Sequence, residues 1–126
     1  MSAASSPQIL IVGGDEDPAE RDFAMAEARR LAEGLARSGA TLVVLFGSRA
    51  RGKGRKGSDL DIVAVMPSDE RFLDRIARVH AALRPKVPTD LLVYSPDEFE
   101  RMWRERAFVR DAVEQGMLLH GIRPES

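Results

Sequence analysis

Leu45-Phe46-Gly47-Ser48-Arg49-Ala50-Arg51-Gly52 and, after a short basic stretch, Ser58-Asp59-Leu60-Asp61-Ile62 are the residues on which the reading of this chain turns. The first segment ends an apolar run, 41–46, with the composition of a strand buried on both faces. The second opens another apolar run, 60–65, closed by Pro67. Residues two apart on a strand face the same side, so Asp59 and Asp61 stand together while Leu60 and Ile62 turn the other way. Clustered carboxylates repel one another and are costly to bury unless a cation lies between them. Hard oxygen donors of this kind suit magnesium, which binds through one or two carboxylates together with substrate phosphates. A third acid, Asp90, stands at the mouth of the apolar run 89–94. If that run lies beside the Asp59 run, three carboxylates converge, enough for two magnesium ions and an in-line phosphoryl displacement.

Two familiar phosphate motifs nearly match the glycine-rich turn and fail on context. Residues 47–53 read G-x-x-x-x-G-K after a strand, but Gly54 stands where a P-loop needs Ser or Thr, and no long helix follows. Gly52, Gly54 and Gly57 satisfy G-x-G-x-x-G, but the third glycine leads into a strand rather than into the helix that would meet a pyrophosphate. In the remaining reading Gly47 lets the backbone approach a triphosphate closely, and the Ser48 hydroxyl and nearby amides donate to it. Arg49, Arg51 and Lys53 are further candidates for phosphate contacts. With Arg55 and Lys56 they put five cations within eight residues, leaving 14 cations against 20 acids elsewhere. A basic loop on an acidic body suits a local anion site and argues against a broad nucleic-acid surface.

The rest of the chain reads as one α/β (α+β) domain. Its 126 residues are 44% hydrophobic, enough for a core without staples, and it has no cysteine. Residues 1–8 read as a disordered tail and 9–126 as the domain; 9–12 are a short strand or a segment packed on the body. Asp17-Pro18 caps a helix in which Ala24, Ala28, Leu31 and Leu35 recur, with Gly39 as the stop. Ser68 is expected to cap a second helix carrying Phe72, Ile76, Val79 and Leu83. Ser95-Pro96-Asp97-Glu98 is a capping box opening a helix with Phe99, Met102 and Trp103, read as core. A last helix covers 108–114 and a short strand 117–119. His80 and His120 have no partner at metal-ligand spacing and read as surface or structural residues. No apolar run is long enough to cross a membrane, so a cytoplasmic protein is expected.

Taken together, residues 45–52 and 58–62 resemble the signature of the DNA polymerase β-like nucleotidyltransferases, and are most similar to the small stand-alone members, the minimal nucleotidyltransferases. Residues 89–93 match the strand carrying that family's third carboxylate, and 113–120 resemble its C-terminal end, with His120 where similar sequences often carry tyrosine. The resemblance spans 41–121. It implies a nucleotidyltransferase fold, a small mixed sheet with helices packed on it. It further implies Gly47 and Ser48 on the triphosphate of ATP, Asp59 and Asp61 on both magnesium ions, and Asp90 on the catalytic one. Small members often accompany a HEPN-domain ribonuclease toxin, and the resemblance implies an antitoxin that adenylylates a tyrosine of that partner. With no acceptor-binding domain in the chain, a folded partner is the expected acceptor. A small molecule or nucleic-acid end as acceptor, or a binding module that neutralises its partner by contact alone, are the alternatives, and homo-oligomerisation stays open.

Overall fold

The computed structural model describes residues 17–55 and 58–125, so the sequence-stretch 9–12 and the tail before it lie outside the described residues. In chain order the elements are α1 (Pro18–Arg37), β1 (Leu42–Phe46), α2 (Gly47–Ala50), β2 (Leu60–Val65), α3 (Phe72–Leu83), β3 (Thr89–Tyr94), α4 (Pro96–Glu105), α5 (Ala107–Gln115) and β4 (Met117–Gly121). The strands form one mixed sheet in the order β3-β2-β1-β4, with β1 antiparallel to both neighbours and β2 parallel to β3.

Strand alternation separates two cores. Val43, Leu45, Leu60, Ile62, Leu91 and Val93 face α1 and α3, where Ala24, Ala28, Leu31, Leu35 and Val79 meet them. Leu42, Val44, Val63, Val65 and Tyr94 face α4 and α5, against Phe99, Val109 and Val113. Both faces of β1 and β2 are therefore covered, which is why these strands read as unbroken apolar runs. Met102 and Trp103 pack on the second core, as expected of a helical apolar stripe. Tyr94 is buried there and stacks on Phe72 at 5.2 Å.

The caps follow local chemistry. The Asp17 carboxylate accepts from the Glu20 amide at the start of α1, and Ser95 and Glu98 complete a reciprocal capping box on α4. Gly39, at φ +106°, turns the chain after α1. One expectation is overturned. Ser68 does not cap α3; its hydroxyl accepts from the Glu70 amide in a local turn, and the helix begins at Phe72 behind Arg71. The first four residues of the glycine-rich stretch wind into the single turn α2.

Two buried charges pin the layers, and neither is visible as such in the sequence. Arg75 on α3 is fully buried, donating to Val93 O at 2.8 Å, to Glu70 O at 2.5 Å and to Glu98 Oε1 at 2.7 Å. It joins α3 to the end of β3 and the start of α4. Glu27 on α1 accepts from both ends of the Arg30 guanidinium and from the Lys86 amide at 2.6 Å, while Arg30 donates to Leu83 O and Arg84 O. That network holds the turn from which β3 starts. The Arg30 hydrogen bonds keep the Glu27 carboxyl below its ordinary range against the opposing effect of burial.

Removing Arg75 leaves the Val93 and Glu70 carbonyls and the Glu98 carboxylate without their donor, at a cost of about 1–3 kcal/mol for a buried group so stranded. Arg75→Ala is expected to lower the free energy of urea unfolding by roughly that amount; a loss below about 1 kcal/mol, as for an exposed pair, would contradict this assignment. A carboxyl whose folded pKa is depressed contributes stability above its unfolded pKa that is lost as pH falls through the folded value. Glu27→Gln should therefore be less stable at neutral pH by about 1.5–3 kcal/mol. The gap to wild type should close as pH falls below the carboxylate range, and a pH-independent gap in thermal melts would count against the network.

Candidate active site

At one end of the sheet the chain leaves β1 and enters β2 and β3, so three expected site segments meet there. The register aligns Phe46 with Asp61 across the antiparallel pair, and Asp61 with Asp90 across the parallel pair. Asp61 and Asp90 thus stand side by side, the juxtaposition that the sequence left conditional. Asp59 lies one residue before β2. Leu60 and Ile62 point into the α1–α3 core and are fully buried. Their alternation puts Asp59 and Asp61 on the opposite face, the one that α4 and α5 cover further along.

The three acids differ in exposure. Asp59 and Asp90 are exposed, whereas Asp61 is half-buried between them. Burial pushes the Asp61 carboxyl above its ordinary range, and the charges of Asp90 and then Asp59 push it further; Asp90 is also close enough to hydrogen-bond with it. Among the described residues, the charges that act on Asp61 are therefore mainly those of other carboxylates.

Gly47 follows immediately, at φ +77°, a left-handed conformation that suits glycine. A side chain there would collide with Asp61 Oδ2. Glycine at this position therefore does two things: it lets the chain turn from β1 into α2, and it leaves room beside the Asp61 carboxylate. Ser48 is half-buried in the first turn of α2, and Phe46 at the N-cap offers no side-chain acceptor to the first amides of that turn.

The basic loop divides on inspection. Arg51 and Lys53 are exposed, and the Lys53 amide donates to Ser48 O at 2.9 Å, folding the loop back over α2. Arg49, grouped with them in the sequence reading, is instead buried at 4% exposure; its guanidinium donates to Ser58 O at 3.3 Å and lies 3.8 Å from Glu20. Arg21 on α1 donates to Arg49 O. Arg49 therefore ties both ends of the loop to α1 and keeps Ser58, and with it Asp59, in place. Lys56 and Gly57 lie outside the described residues. His80 and His120 are exposed and distant in the chain from these elements.

Among the described residues no three acidic or imidazole side chains already form a cage able to hold a cation. The donor set nonetheless fits a divalent ion of the magnesium type. It is all oxygen, Asp61 is crowded by the charges of Asp90 and Asp59, and two of its carboxylates are open to solvent and to a phosphate that would complete the coordination.

The sequence profile of the nucleotidyltransferase domain matches residues 28–120. The chain belongs to the nucleotidyltransferase domain family. A protein of Sulfolobus solfataricus assigned as a nucleotidyltransferase, with a crystal structure, is 30% identical, with a TM-score of 0.52 over 66% of this chain and 78% of that one. A protein assigned as a minimal nucleotidyltransferase is 25% identical, with a TM-score of 0.57 over 77% of this chain and 93% of that one. A toxin–antitoxin structure with AMP-PNP is 22% identical, with a TM-score of 0.50 over 75% of this chain and 73% of that one, and shares the fold. No curated protein matches. This nucleotidyltransferase domain has the mixed sheet that its motifs imply, and among its described residues no helix is long and apolar enough to cross a membrane.

Like charges held together without a counter-ion cost stability, which functional sites commonly sacrifice. In EDTA, Asp61→Asn is expected to melt a few degrees above wild type at neutral pH, and added magnesium should raise only the wild type. A variant that melts lower in EDTA would show that the Asp61 charge is compensated. Gly47→Ala forces a non-glycine residue into the left-handed region, costing about 1–2 kcal/mol, and displaces Asp61. It should abolish nucleotide binding while the protein stays folded; retained binding would mean that the gap beside Asp61 is not used.

Proposed function

We propose that this nucleotidyltransferase domain transfers AMP from ATP, with magnesium, to a tyrosine hydroxyl of a HEPN-domain toxin, and so acts as an antitoxin by adenylylation. The observation that supports the reaction is the alignment of Asp61 with Asp90 beside the glycine turn, with Asp61 partly buried and crowded by the charges of Asp90 and Asp59. Asp59, Asp61 and Asp90 are the metal ligands in this reading, and Gly47 and Ser48 receive the triphosphate. Magnesium, when bound, supplies the positive charge that draws the triphosphate in and eases loss of the acceptor proton.

The residues of the chain divide the remaining work. Gly47 admits the phosphates close to the backbone, and the Ser48 hydroxyl donates to a phosphate oxygen. Arg51 and Lys53, both exposed, offset the charge of the departing pyrophosphate. Asp90, at the outer rim, orients the acceptor hydroxyl as its oxygen bonds to the α-phosphorus. The bond from that phosphorus to the pyrophosphate oxygen breaks, and the hydroxyl proton is released on the Asp90 side.

The openness of the rim supports a protein acceptor. Asp59 and Asp90 are exposed at a sheet end rather than sunk in a cleft, so a hydroxyl displayed on a folded surface reaches them more readily than a small molecule would be retained there. The HEPN partner itself rests on the sequence resemblance, and a toxin–antitoxin structure with AMP-PNP shares the fold.

The test is transfer of label from ATP marked at the α-phosphate to the HEPN partner. Label on a partner tyrosine, with loss of about a hundredfold or more in Asp59→Asn, is the expected result. Neutralisation of the partner by an Asp59→Ala, Asp61→Ala double variant, with no label transferred by wild type, would replace the enzyme with a contact inhibitor.

A further inference from the structure

At the β3 edge of the sheet, on the face that carries the carboxylates, a cavity of about 280 Å³ opens between β3, α4 and the start of α3. Leu92 and Tyr94 line it from β3, Phe72 from α3, and Glu98, Arg101 and Met102 from one face of α4, at i, i+3 and i+4. Asp90, Leu92 and Tyr94 alternate onto the same face of β3, so the cavity begins one side-chain step, about 7 Å, from Asp90. Its two charges differ. The Glu98 carboxylate is held by the buried Arg75 at 2.7 Å. Arg101 is exposed and, among the described residues, has no ion-pair partner. Leu73, next to Phe72 in the chain, is 73% exposed, so apolar surface at the start of α3 continues beyond the cavity.

We infer that this cavity anchors the acceptor protein, receiving an apolar side chain that has an acidic residue beside it; the inference rests on the protein-acceptor reading above. Asp90 stands at an open rim, and a side chain seated one step away holds a folded surface in place against it. The cavity is smaller than small-ligand sites, which run from about 300 to 1,000 Å³, and it is apolar except at Glu98 and Arg101. It therefore suits a side chain better than a free metabolite. Arg101, without a counter-charge, favours an acid on the partner and steers its approach. Strand addition is closed off at this point of the edge. The hydrogen bonds from Leu60 N to Pro88 O and from Met66 N to Tyr94 O turn the even-numbered residues of β3 toward β2. The outward carbonyl beside the cavity is then that of Val93, which already accepts from Arg75. The contact is made by side chains rather than by a paired strand.

Label transfer from ATP is measured as a function of the concentration of the HEPN partner, and partner binding is measured separately without nucleotide. Arg101 is exposed and Met102 half-buried, so Arg101→Glu and Met102→Ala should fold, with ATP–magnesium binding unchanged by calorimetry. Both are expected to raise the KM for the partner about tenfold with kcat nearly unchanged, while Arg101→Lys stays near wild type. An unchanged KM in either of the first two variants, or a fall in kcat alone, would overturn the docking site and leave the transfer reading intact. So would an Arg101→Glu that splits a dimer of this chain in sedimentation and still binds the partner, because the occupant would then be a second copy. A partner that binds wild type but not Arg101→Glu, with no label transferred by wild type, would keep the site and remove adenylylation. A partner that is neither bound nor labelled would overturn both.

Discussion

Asp61 sits where the parallel register of β2 and β3 leaves it no choice of neighbour: its partner across the pair is Asp90, and Asp59 is two residues away on the same side. Partial burial and the repulsion of Asp90 and Asp59 make this an unfavourable place for a charged carboxylate. Everything around it resists relaxation. Leu60 and Ile62 are locked in the core on the other face, so β2 cannot rotate, and slipping its register by one residue would bury Asp61 among them. A proton or a cation can relieve that repulsion, and the glycine at position 47 leaves space beside Asp61.

Such a site needs a stiff frame, because a soft one would let the carboxylates drift apart. The frame is supplied by charged residues, most of them buried, that bridge the elements around the site. Glu27 and Arg30 hold the turn that launches β3 toward Asp90. Arg49 fastens the loop that delivers Asp59. Arg75 anchors the far end of β3 to α4. Each ties together segments remote in sequence through backbone groups as well as carboxylates, so its position is dictated by the fold rather than by solvent.

That remoteness explains what could and could not be read in advance. The caps at Asp17 and Ser95, the two-sided strands and the motif around Gly47 depend on neighbours a few residues away, and they are legible in the chain. Ser68 misleads for the same reason: a serine before an apolar helix has two local uses, and here the Glu70 turn wins over the cap. The meeting of Asp61 with Asp90 was conditional on strand order, which only packing decides. Arg49 looked like one of five loop cations, and its burial follows from α1 folding over the loop. Glu27 and Arg75 were invisible, because a charged residue on an amphipathic helix is ordinarily solvated.

The central claim is that the carboxylates at the sheet end gather a divalent ion and a nucleoside triphosphate against Gly47. Nuclear magnetic resonance of isotope-labelled protein, with manganese standing in for magnesium and a non-hydrolysable ATP analogue present, tests it most directly. Paramagnetic broadening should appear first at the amides of Gly47, Ser48, Asp59, Asp61 and Asp90, while Val65 and Tyr94, at the other end of β2 and β3, stay sharp. Broadening centred elsewhere on the acidic surface, or spread evenly over the chain, would contradict the account.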